Sequence, residues 1–315
     1  MYKRLLFFIP VFLLTTCLAM AQVIKGKITD EQTGAPLPGA SIYLNGTYKG
    51  TSSDSKGYFE INSSEVNIPL IISHVGYESD AITGYSGRYL TIKLRHKANV
   101  LKEVTIGFDA ISREDEMKLF LKMFIGTENH ECTIENPDDI SFSYKKKTET
   151  LTAEADEPLI IRNKKLGYKL KYFLISFKCT PTDFSFRGNY LFTEDTTGLQ
   201  PKDLKKILKA RDEVYYGSRM HFIRSLWADK LRENRFHLNM DTLVTTVDDQ
   251  KFIKYRYTII IEYKGRYSNL IQHQQGRETF IAANGFYDPN IQWIGEMANQ
   301  RVGEMLPFEF QPSQK

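Results

Sequence analysis

Residues 24–94 decide the fold, and they read IKGKITDEQTGAPLPGASIYLNGTYKGTSSDSKGYFEINSSEVNIPLIISHVGYESDAITGYSGRYLTIKL. Short alternating runs in this stretch are interrupted at regular intervals by residues that favour tight turns. Asn45-Gly46 and Asp54-Ser55-Lys56-Gly57 supply the positive backbone angles that hairpins require. Several short strands separated by such turns predict a small antiparallel β-sandwich.

Six short motifs in this stretch occur together and in the same order in one family of modules. They lie at residues 26–30, 33–40, 46–47, 50–51, 54–59 and 76–77. On these residues the stretch resembles the carboxypeptidase-regulatory-like domain, a prealbumin-like β-sandwich, in exported proteins of the Bacteroidetes type. The resemblance implies an accessory module that carries no catalytic residues. It also implies a cell-envelope setting, because this module often precedes other domains, including receptor plugs and barrels of bacterial outer membranes.

The first residues of the chain predict export. A basic start and an apolar core occupy residues 3–14, and Ala-Met-Ala at residues 19–21 matches a cleavage site. This pattern is typical of a secretory signal peptide, because the apolar core is too short to span a bilayer. After cleavage we expect no transmembrane helix. We expect the mature protein in the periplasm, or associated with the outer membrane or cell surface.

The three cysteines leave alternatives open. Cys17 follows Leu-Thr-Thr, which partly resembles a lipidation motif, but Thr16 is bulkier than the residue usual at that position. Ordinary cleavage is therefore preferred over lipidation. Cys132 and Cys179 then remain, and in an oxidising compartment they are either two isolated buried thiols or one disulfide bridge.

Charge and aromatic content narrow the class of partner. The full chain carries a net charge of +4, and loss of Lys3 and Arg4 with the signal peptide lowers it to +2. A nearly balanced charge argues against nucleic acid as a partner. Phe, Tyr and Trp make up 13% of the chain, which indicates β-rich cores or an aromatic binding face.

The second half predicts an α+β domain of antiparallel strands and about three to four helices. Ser112 is placed to cap a helix, and Gly126 is placed to end it. The apolar stripe of this helix consists of Met117, Phe120, Leu121 and Phe124. Alternating runs predict strands within residues 140–195.

The rest of this half predicts further helices and strands. Residues 201–236 predict two helices that bend at Gly217-Ser218, and Ser218 is placed to cap the second. Leu204, Ile207 and Leu208 form the apolar stripe of the first. Residues 252–261 predict one long strand, and Asn284-Gly285 predicts a hairpin. A last short helix is predicted over residues 293–305.

We therefore expect five segments along the chain. They are a signal peptide at 1–21, the sandwich at 22–96, a linker or edge strand at 97–111, an α+β domain of unknown function at 112–310 and a tail at 311–315. The second half resembles an uncharacterised C-terminal region that follows the same module in exported Bacteroidetes proteins. That resemblance implies no activity.

One local sequence carries candidate catalytic residues. Residues 211–222 read RDEVYYGSRMHF, which places charges, two tyrosines and a histidine around one glycine. Such a string occurs in active sites, and also at helix corners where polar side-chain ends surround a core. The structural interpretation is preferred. If the chain is an enzyme, the first candidates are Arg211, Tyr215, Arg219 and His221.

Motifs for metal, nucleotide and nucleophile chemistry are absent from the sequence. None of the six histidines is followed by Glu three positions later, so the His-x-x-Glu pair of zinc carboxypeptidases does not occur. Glycine motifs of nucleotide-binding proteins and serine hydrolases do not occur either. His130, Glu131 and Cys132 lie together, but no spaced cysteines or second histidine complete a zinc site. We therefore expect no metal and no cofactor.

The sequence is compatible with three functions. The preferred one is a non-catalytic exported binding or scaffold protein of the cell envelope, whose partner is an envelope protein or a glycan. The second is an envelope hydrolase with its site in the second domain. The third is a truncated relative of outer-membrane TonB-dependent receptors. It is the weakest, because a barrel of twenty-two strands needs about 220 residues before any loops, and 209 follow Ile106.

Overall fold

The computed structural model describes residues 22–63, 67–85, 87–97, 111–126, 131–240, 244–255, 258–272 and 278–313. Within these ranges an N-terminal β-sandwich is followed by an α+β region, so the predicted fold class is confirmed. The predicted signal peptide and the predicted linker strand at residues 101–106 lie outside the described ranges.

In the part of it that the structure describes, the sandwich contains seven strands in two sheets. The strands are β1 Gln22–Asp30, β2 Ser41–Leu44, β3 Gly50–Ser52, β4 Tyr58–Ser63, β5 Leu70–Ser73, β6 Asp80–Ile82 and β7 Tyr89–Leu94. One sheet has the order β4-β1-β7 and the other the order β3-β2-β5-β6. Along β4 and β7, exposed and buried residues alternate strictly, as a strand covered on one face requires. One pair differs from the antiparallel prediction, because β1 and β7 run parallel.

The α+β region contains three α-helices and thirteen strands within its described ranges. The helices are α1 Arg113–Phe124, α2 Pro201–Tyr215 and α3 Arg219–Trp227. The strands before α2 are β8 Cys132–Ile134, β9 Ile140–Lys145, β10 Thr150–Ala155, β11 Leu159–Asn163, β12 Tyr168–Cys179 and β13 Phe184–Glu194. Those after α3 are β14 Phe236–Leu238, β15 Val244–Val247, β16 Gln250–Ile253, β17 Ile259–Tyr263, β18 Arg266–Gln272, β19 Thr279–Ile281 and β20 Ile291–Gly295.

The long strand β12 organises the largest sheet, which has six strands. One side of β12 pairs with β13 over nearly its whole length. The other side pairs with β11 near its start and with β10 near its end. Ser112 caps the start of helix α1, because its side chain accepts a hydrogen bond from the Asp115 N–H at 3.1 Å, as predicted. Its Phe120 and Phe124 are fully buried in the core that β12 also lines.

Two smaller sheets follow, and here three predictions are wrong. Residues 252–261 do not form one strand, because β16 belongs to the sheet β15-β16-β19 and β17 to the sheet β14-β17-β18-β20. Phe236 does not end a helix but lies in β14. Trp293 lies in β20, opposite Leu270, and between it and residue 313, the last one described, the helical elements are two short 3-10 helices, Glu296–Asn299 and Val302–Glu304. Pairing with β18 therefore overrides the helical pattern of this segment.

The predicted stripe of α2 is also partly wrong. Its buried residues are Ile207, Arg211 and Tyr215, spaced four apart, whereas Leu204 and Leu208 are about 40% exposed. The helix is therefore rotated so that an arginine, rather than a leucine, faces the core. The reason is tertiary, because this arginine binds the carbonyl groups of Leu166 and Gly167 in the turn between β11 and β12.

The turn between β2 and β3, at residues 45–48, packs against the α+β region with Gly46 and Thr47 buried, and we call it the docking turn. The Gly46 N–H donates to the carbonyl of Tyr190 at 2.8 Å, and the Phe192 N–H donates to the carbonyl of Thr47 at 2.9 Å. The side-chain oxygen of Asn45 accepts from the Tyr190 N–H at 2.9 Å. The docking turn therefore occupies backbone groups of β13 that its partner β12 leaves free, and an edge strand gains a second partner.

Residues 296–313, which follow β20 and which we call the C-terminal segment, contact the docking turn from the other side. The Phe308 N–H donates to the carbonyl of Gly46 at 2.9 Å. The Tyr48 N–H donates to Oε1 of Glu309 at 3.0 Å, and the Tyr48 hydroxyl donates to Oε2 of Glu194 at 2.9 Å. The turn is thus hydrogen-bonded both to β13 and to a segment that lies 261 residues further along the chain, counted from Tyr48 to Glu309.

Apolar contacts reinforce this junction. The ring of Tyr43 stacks on that of Phe173 with their centroids 5.2 Å apart. Ala282 and Phe286, which flank the predicted Asn284-Gly285 turn, are buried in the same core as the sandwich strands. The sandwich therefore shares its core with the α+β region as well as its hydrogen bonds.

The docking turn predicts a measurable packing cost. A Cβ atom at Gly46 would lie 2.6 Å from a ring carbon of Phe308, whereas one at Gly34 would meet no atom within 4 Å. The two glycines have φ angles of 75° and 71°, so alanine strains both backbones alike. We expect Gly46→Ala to lower the free energy of unfolding by about 1–3 kcal/mol more than Gly34→Ala does. Urea denaturation measures both, and equal losses would contradict the buried junction.

Candidate functional site

The four candidate residues flank the bend between α2 and α3. Gly217 makes this bend with a φ of 89°, and a Cβ atom there would lie 2.8 Å from the Tyr263 ring. Ser218 then caps α3, because its hydroxyl accepts from the His221 N–H at 3.0 Å, as predicted. The local sequence therefore fixes where α3 begins and how closely the bend packs on β17.

Arg211 is buried and bound to the backbone. Its Nε donates to the carbonyl of Leu166 at 2.8 Å, and its Nη2 donates to the carbonyl of Gly167 at 3.3 Å and to Glu194 at 2.5 Å. The guanidinium carbon lies 3.8 Å from the centroid of the Tyr168 ring. Arg211 thus ties α2 to the turn between β11 and β12.

His221 lies among aromatic rings. Its Nδ1 accepts a hydrogen bond from the Gly217 N–H at 3.1 Å, and its side chain is buried. The nearest rings are those of Tyr215 and Phe236, each with a centroid 4.9 Å away. Burial lowers the pKa of His221 to about 4, and the positive charges of Arg224 and Lys264 act in the same direction. The imidazole is therefore neutral at neutral pH.

Arg219 is hydrogen-bonded to the residues that follow β20. Its Nε donates to the carbonyl of Met297 at 2.7 Å, and its Nη2 donates to that of Gln300 at 3.1 Å. Tyr215 is buried, and desolvation raises the pKa of its hydroxyl. The structure therefore brings the rings of Tyr215 and His221 together. The two arginines donate to different carbonyl groups, Arg211 to those of residues 166 and 167 and Arg219 to those of residues 297 and 300.

Arg224 belongs to this corner and was not among the predicted residues. It donates to the carbonyls of Asn284, Phe308 and Phe310 at 2.9, 3.1 and 2.8 Å, with its guanidinium over the ring of Tyr215. It therefore joins α3 to both the hairpin turn and the C-terminal segment. The sequence shows only that Arg224 is a charged residue between Ile223 and Ser225, both of which are buried. This pattern does not predict which groups Arg224 binds.

The burial of His221 predicts how stability depends on pH. The unfolded chain binds a proton near pH 6.5, whereas the folded chain resists it until about pH 4. Stability from this group is therefore complete above pH 6.5 and is lost as the pH falls toward 4. At about 1.4 kcal/mol for each pH unit, the loss is on the order of 3 kcal/mol.

We expect His221→Gln to flatten this slope, while His237→Gln, at an exposed histidine, leaves it unchanged. Urea denaturation between pH 4 and pH 7 provides the measurement. A wild-type protein that gains stability as the pH falls through this window would contradict the assignment.

A cleft opens beside Arg219, between β13, the bend and the C-terminal segment, and we call it the β13 cleft. It contains about 630 Å³ of empty space, part of which is open to solvent. Its apolar walls include Phe186, Tyr190, Met220, Tyr287, Met305 and Phe308. Its polar lining includes Arg219, Gln300, Arg301 and Glu304. A mostly apolar cleft with a few polar groups has the composition of a small-molecule site.

A second group of titratable residues lies in the sandwich. Oδ2 of the buried Asp30 accepts from the Tyr77 hydroxyl and lies 2.8 Å from Nε2 of His96. Its Oδ1 accepts from the Thr33 N–H and hydroxyl. These hydrogen bonds hold the pKa of Asp30 well below its usual range. The group fastens the strand β1 to the residues that follow β7, which is a structural arrangement.

The other candidates from the sequence are dispersed. Cys132 and Cys179 are buried free thiols and form no disulfide, and burial raises the pKa of Cys132 to about 12. His130 lies outside the described residues. In the part of the chain that the structure describes, no three His, Cys, Asp or Glu side chains are arranged to hold a metal ion. None of the helices in those ranges is both long enough and apolar enough to cross a membrane.

The family of the sandwich is established by comparison with known domains. Residues 24–106 match the family model of the CarboxypepD_reg-like domain. The sandwich is therefore a CarboxypepD_reg-like domain, as the motifs of the sequence predicted.

The similar proteins share this domain rather than the whole chain. The TonB-dependent receptor P26 of Formosa agariphila is 32% identical over 95 residues, which is 30% of this chain and 9% of the receptor. The TonB-dependent receptor SusC of Bacteroides thetaiotaomicron is 29% identical over 117 residues, which is 36% of this chain and 11% of the receptor. The chain thus spans about a tenth of the length of these relatives.

A solved structure is also similar over part of the chain. A type II cohesin–X-dockerin complex of Acetivibrio cellulolyticus is 24% identical and covers 34% of this chain and 76% of its own, with a TM-score of 0.22. A TM-score this low says nothing about the architecture of the whole molecule.

Proposed function

We propose that this protein is a non-catalytic, exported binding or scaffold protein of the cell envelope. The domain it shares with TonB-dependent receptors supports the envelope setting. The partner in this proposal is an envelope protein or a glycan. The sandwich is a rigid platform whose loops or edge strands contact that partner.

The observation that carries the proposal is how the candidate catalytic groups are used. Arg211 and Arg219 donate to backbone carbonyls, and His221 accepts from a backbone N–H. A general base must reach a substrate proton, directly or through one water. The His221 ring instead packs among four aromatic side chains, so this corner supports a structural role.

The docking turn supports the scaffold part of the proposal. A binding module on a flexible linker would leave its turns exposed to solvent, whereas here residues 45–48 are held by β13 and by the C-terminal segment. The sandwich is therefore positioned against the α+β region by hydrogen bonds and by a shared core. A fixed position is what a scaffold requires.

A hydrolase with its site in the α+β region remains the second candidate. One observation favours it, because Ser218 and Arg219 line the β13 cleft next to the bend that carries Tyr215 and His221. In this alternative the cleft would admit the substrate.

An activity screen separates the two functions. We expect the purified mature chain to turn over no member of a panel of peptide, ester and glycan substrates above a buffer control. His221→Gln and the exposed-site control His237→Gln should then be indistinguishable in the screen. Turnover that His221→Gln abolishes, with thermal melting showing an intact fold, would establish the hydrolase and refute the proposal.

Cell fractionation tests the location. We expect the full chain, expressed with its first 21 residues, to be recovered in the envelope fraction and to lose those residues, as mass spectrometry of the purified protein would show. Recovery of the uncleaved chain in the cytoplasm would contradict an exported scaffold.

A further inference from the structure

The β13 cleft has a charge imbalance at its polar end. Two of the residues that line the cleft, Arg219 and Arg301, are cationic, whereas one lining residue, the exposed Glu304, is acidic. Neither arginine forms an ion pair with a carboxylate within the described ranges. Both are half-buried, so solvent compensates their charges only in part.

Each guanidinium is already fixed in place. Arg301 stacks on Phe184, with its guanidinium carbon 3.9 Å from the ring centroid, and its Nη1 donates to the carbonyl of Ala298 at 2.8 Å. Arg219 is held by the carbonyls of Met297 and Gln300. Desolvation and the positive charge of Arg219 lower the pKa of Arg301, while the carboxylate of Glu304 acts in the opposite direction. Arg301 therefore feels both a second cation and one carboxylate in this partly buried part of the cleft. An anion placed there would relieve this repulsion.

The remaining walls of the cleft favour an apolar chain. Phe186, Tyr190 and Phe308 provide flat aromatic surface, and Met220 and Met305 provide flexible side chains that adapt to an irregular ligand. A sugar would need many polar partners, and this lining offers few. A ligand that satisfies both ends is therefore long and apolar, with one acidic group.

We propose that the β13 cleft binds a single-chain anionic amphiphile of the fatty-acid type. Its carboxylate lies beside Arg219 and Arg301, and its hydrocarbon chain runs along Phe186, Tyr190 and Met220. This adds a ligand site to the proposed scaffold role and does not depend on it, since the ligand can bind whether or not an envelope partner does.

Competition against a dansyl-labelled fatty acid tests the proposal on the full mature chain. Unlabelled dodecanoate, below its micelle concentration, is compared with dodecanol, which has the same chain without the charge. We expect dodecanoate to displace the probe at least about tenfold more effectively, because only its carboxylate can accept charge-assisted hydrogen bonds from arginine. Equal displacement by the two, or no saturable binding of the probe, would overturn the proposal.

Variants then locate the head group. Arg301→Met keeps the apolar stem and removes the charge, and we expect it to weaken dodecanoate binding about tenfold while leaving dodecanol unchanged. Arg187→Met, the same substitution at an exposed residue of β13, is the control. An Arg301→Met protein that melts like wild type and binds dodecanoate equally well would also overturn the proposal. Failure of either test leaves the scaffold proposal standing, because the activity screen and fractionation examine that role without any ligand.

Discussion

The structure depends on the docking turn at residues 45–48. A hairpin tip is ordinarily solvated, yet this one satisfies free backbone groups of β13 and is itself covered by the C-terminal segment. Glycine is required at position 46 for two reasons, the positive φ and the 2.6 Å approach to Phe308 that a Cβ atom would make. The hydrogen bonds and the close packing therefore constrain the same four residues, and the two halves of the molecule are joined there.

The β13 cleft is a consequence of this junction. Tyr190, whose carbonyl binds the docking turn, contributes a wall of the cleft, and Phe308, whose N–H binds the docking turn, contributes another. Arg224 then joins the carbonyl of Phe308 to helix α3. The walls of the cleft are thus fixed by the groups that fix the sandwich, and a ligand there would meet a site that is largely formed before binding.

Much of the fold could be predicted from the sequence, because the pattern there is local. The turn glycines, the cap residues Ser112 and Ser218 and the apolar face of α1 act within a few residues of themselves. The failures arise from partners distant in sequence. Residues 252–261 read as one strand because nothing local shows that β16 and β17 pair in different sheets, and Trp293 pairs with Leu270 against its helical context.

The candidate site shows the same limit. The string at residues 211–222 can be identified in the sequence because it concentrates polar groups. Its geometry, however, depends on the carbonyls of Leu166, Met297 and Gln300, which the sequence does not connect to it. The docking turn was predicted as a hairpin and its burial was not, since Asn-Gly encodes a backbone shape rather than a partner.

Amide hydrogen exchange measures the central claim most directly, because it reports on the hydrogen bonds that join the two halves. If the docking turn is buried as described, the amides of Gly46, Phe192 and Phe308 exchange slowly, with protection close to that of Ile28 and Ile42 in the sandwich core. Rapid exchange of these three amides, while Ile28 and Ile42 stay protected, would show that the sandwich is not held against the α+β region and would contradict the account.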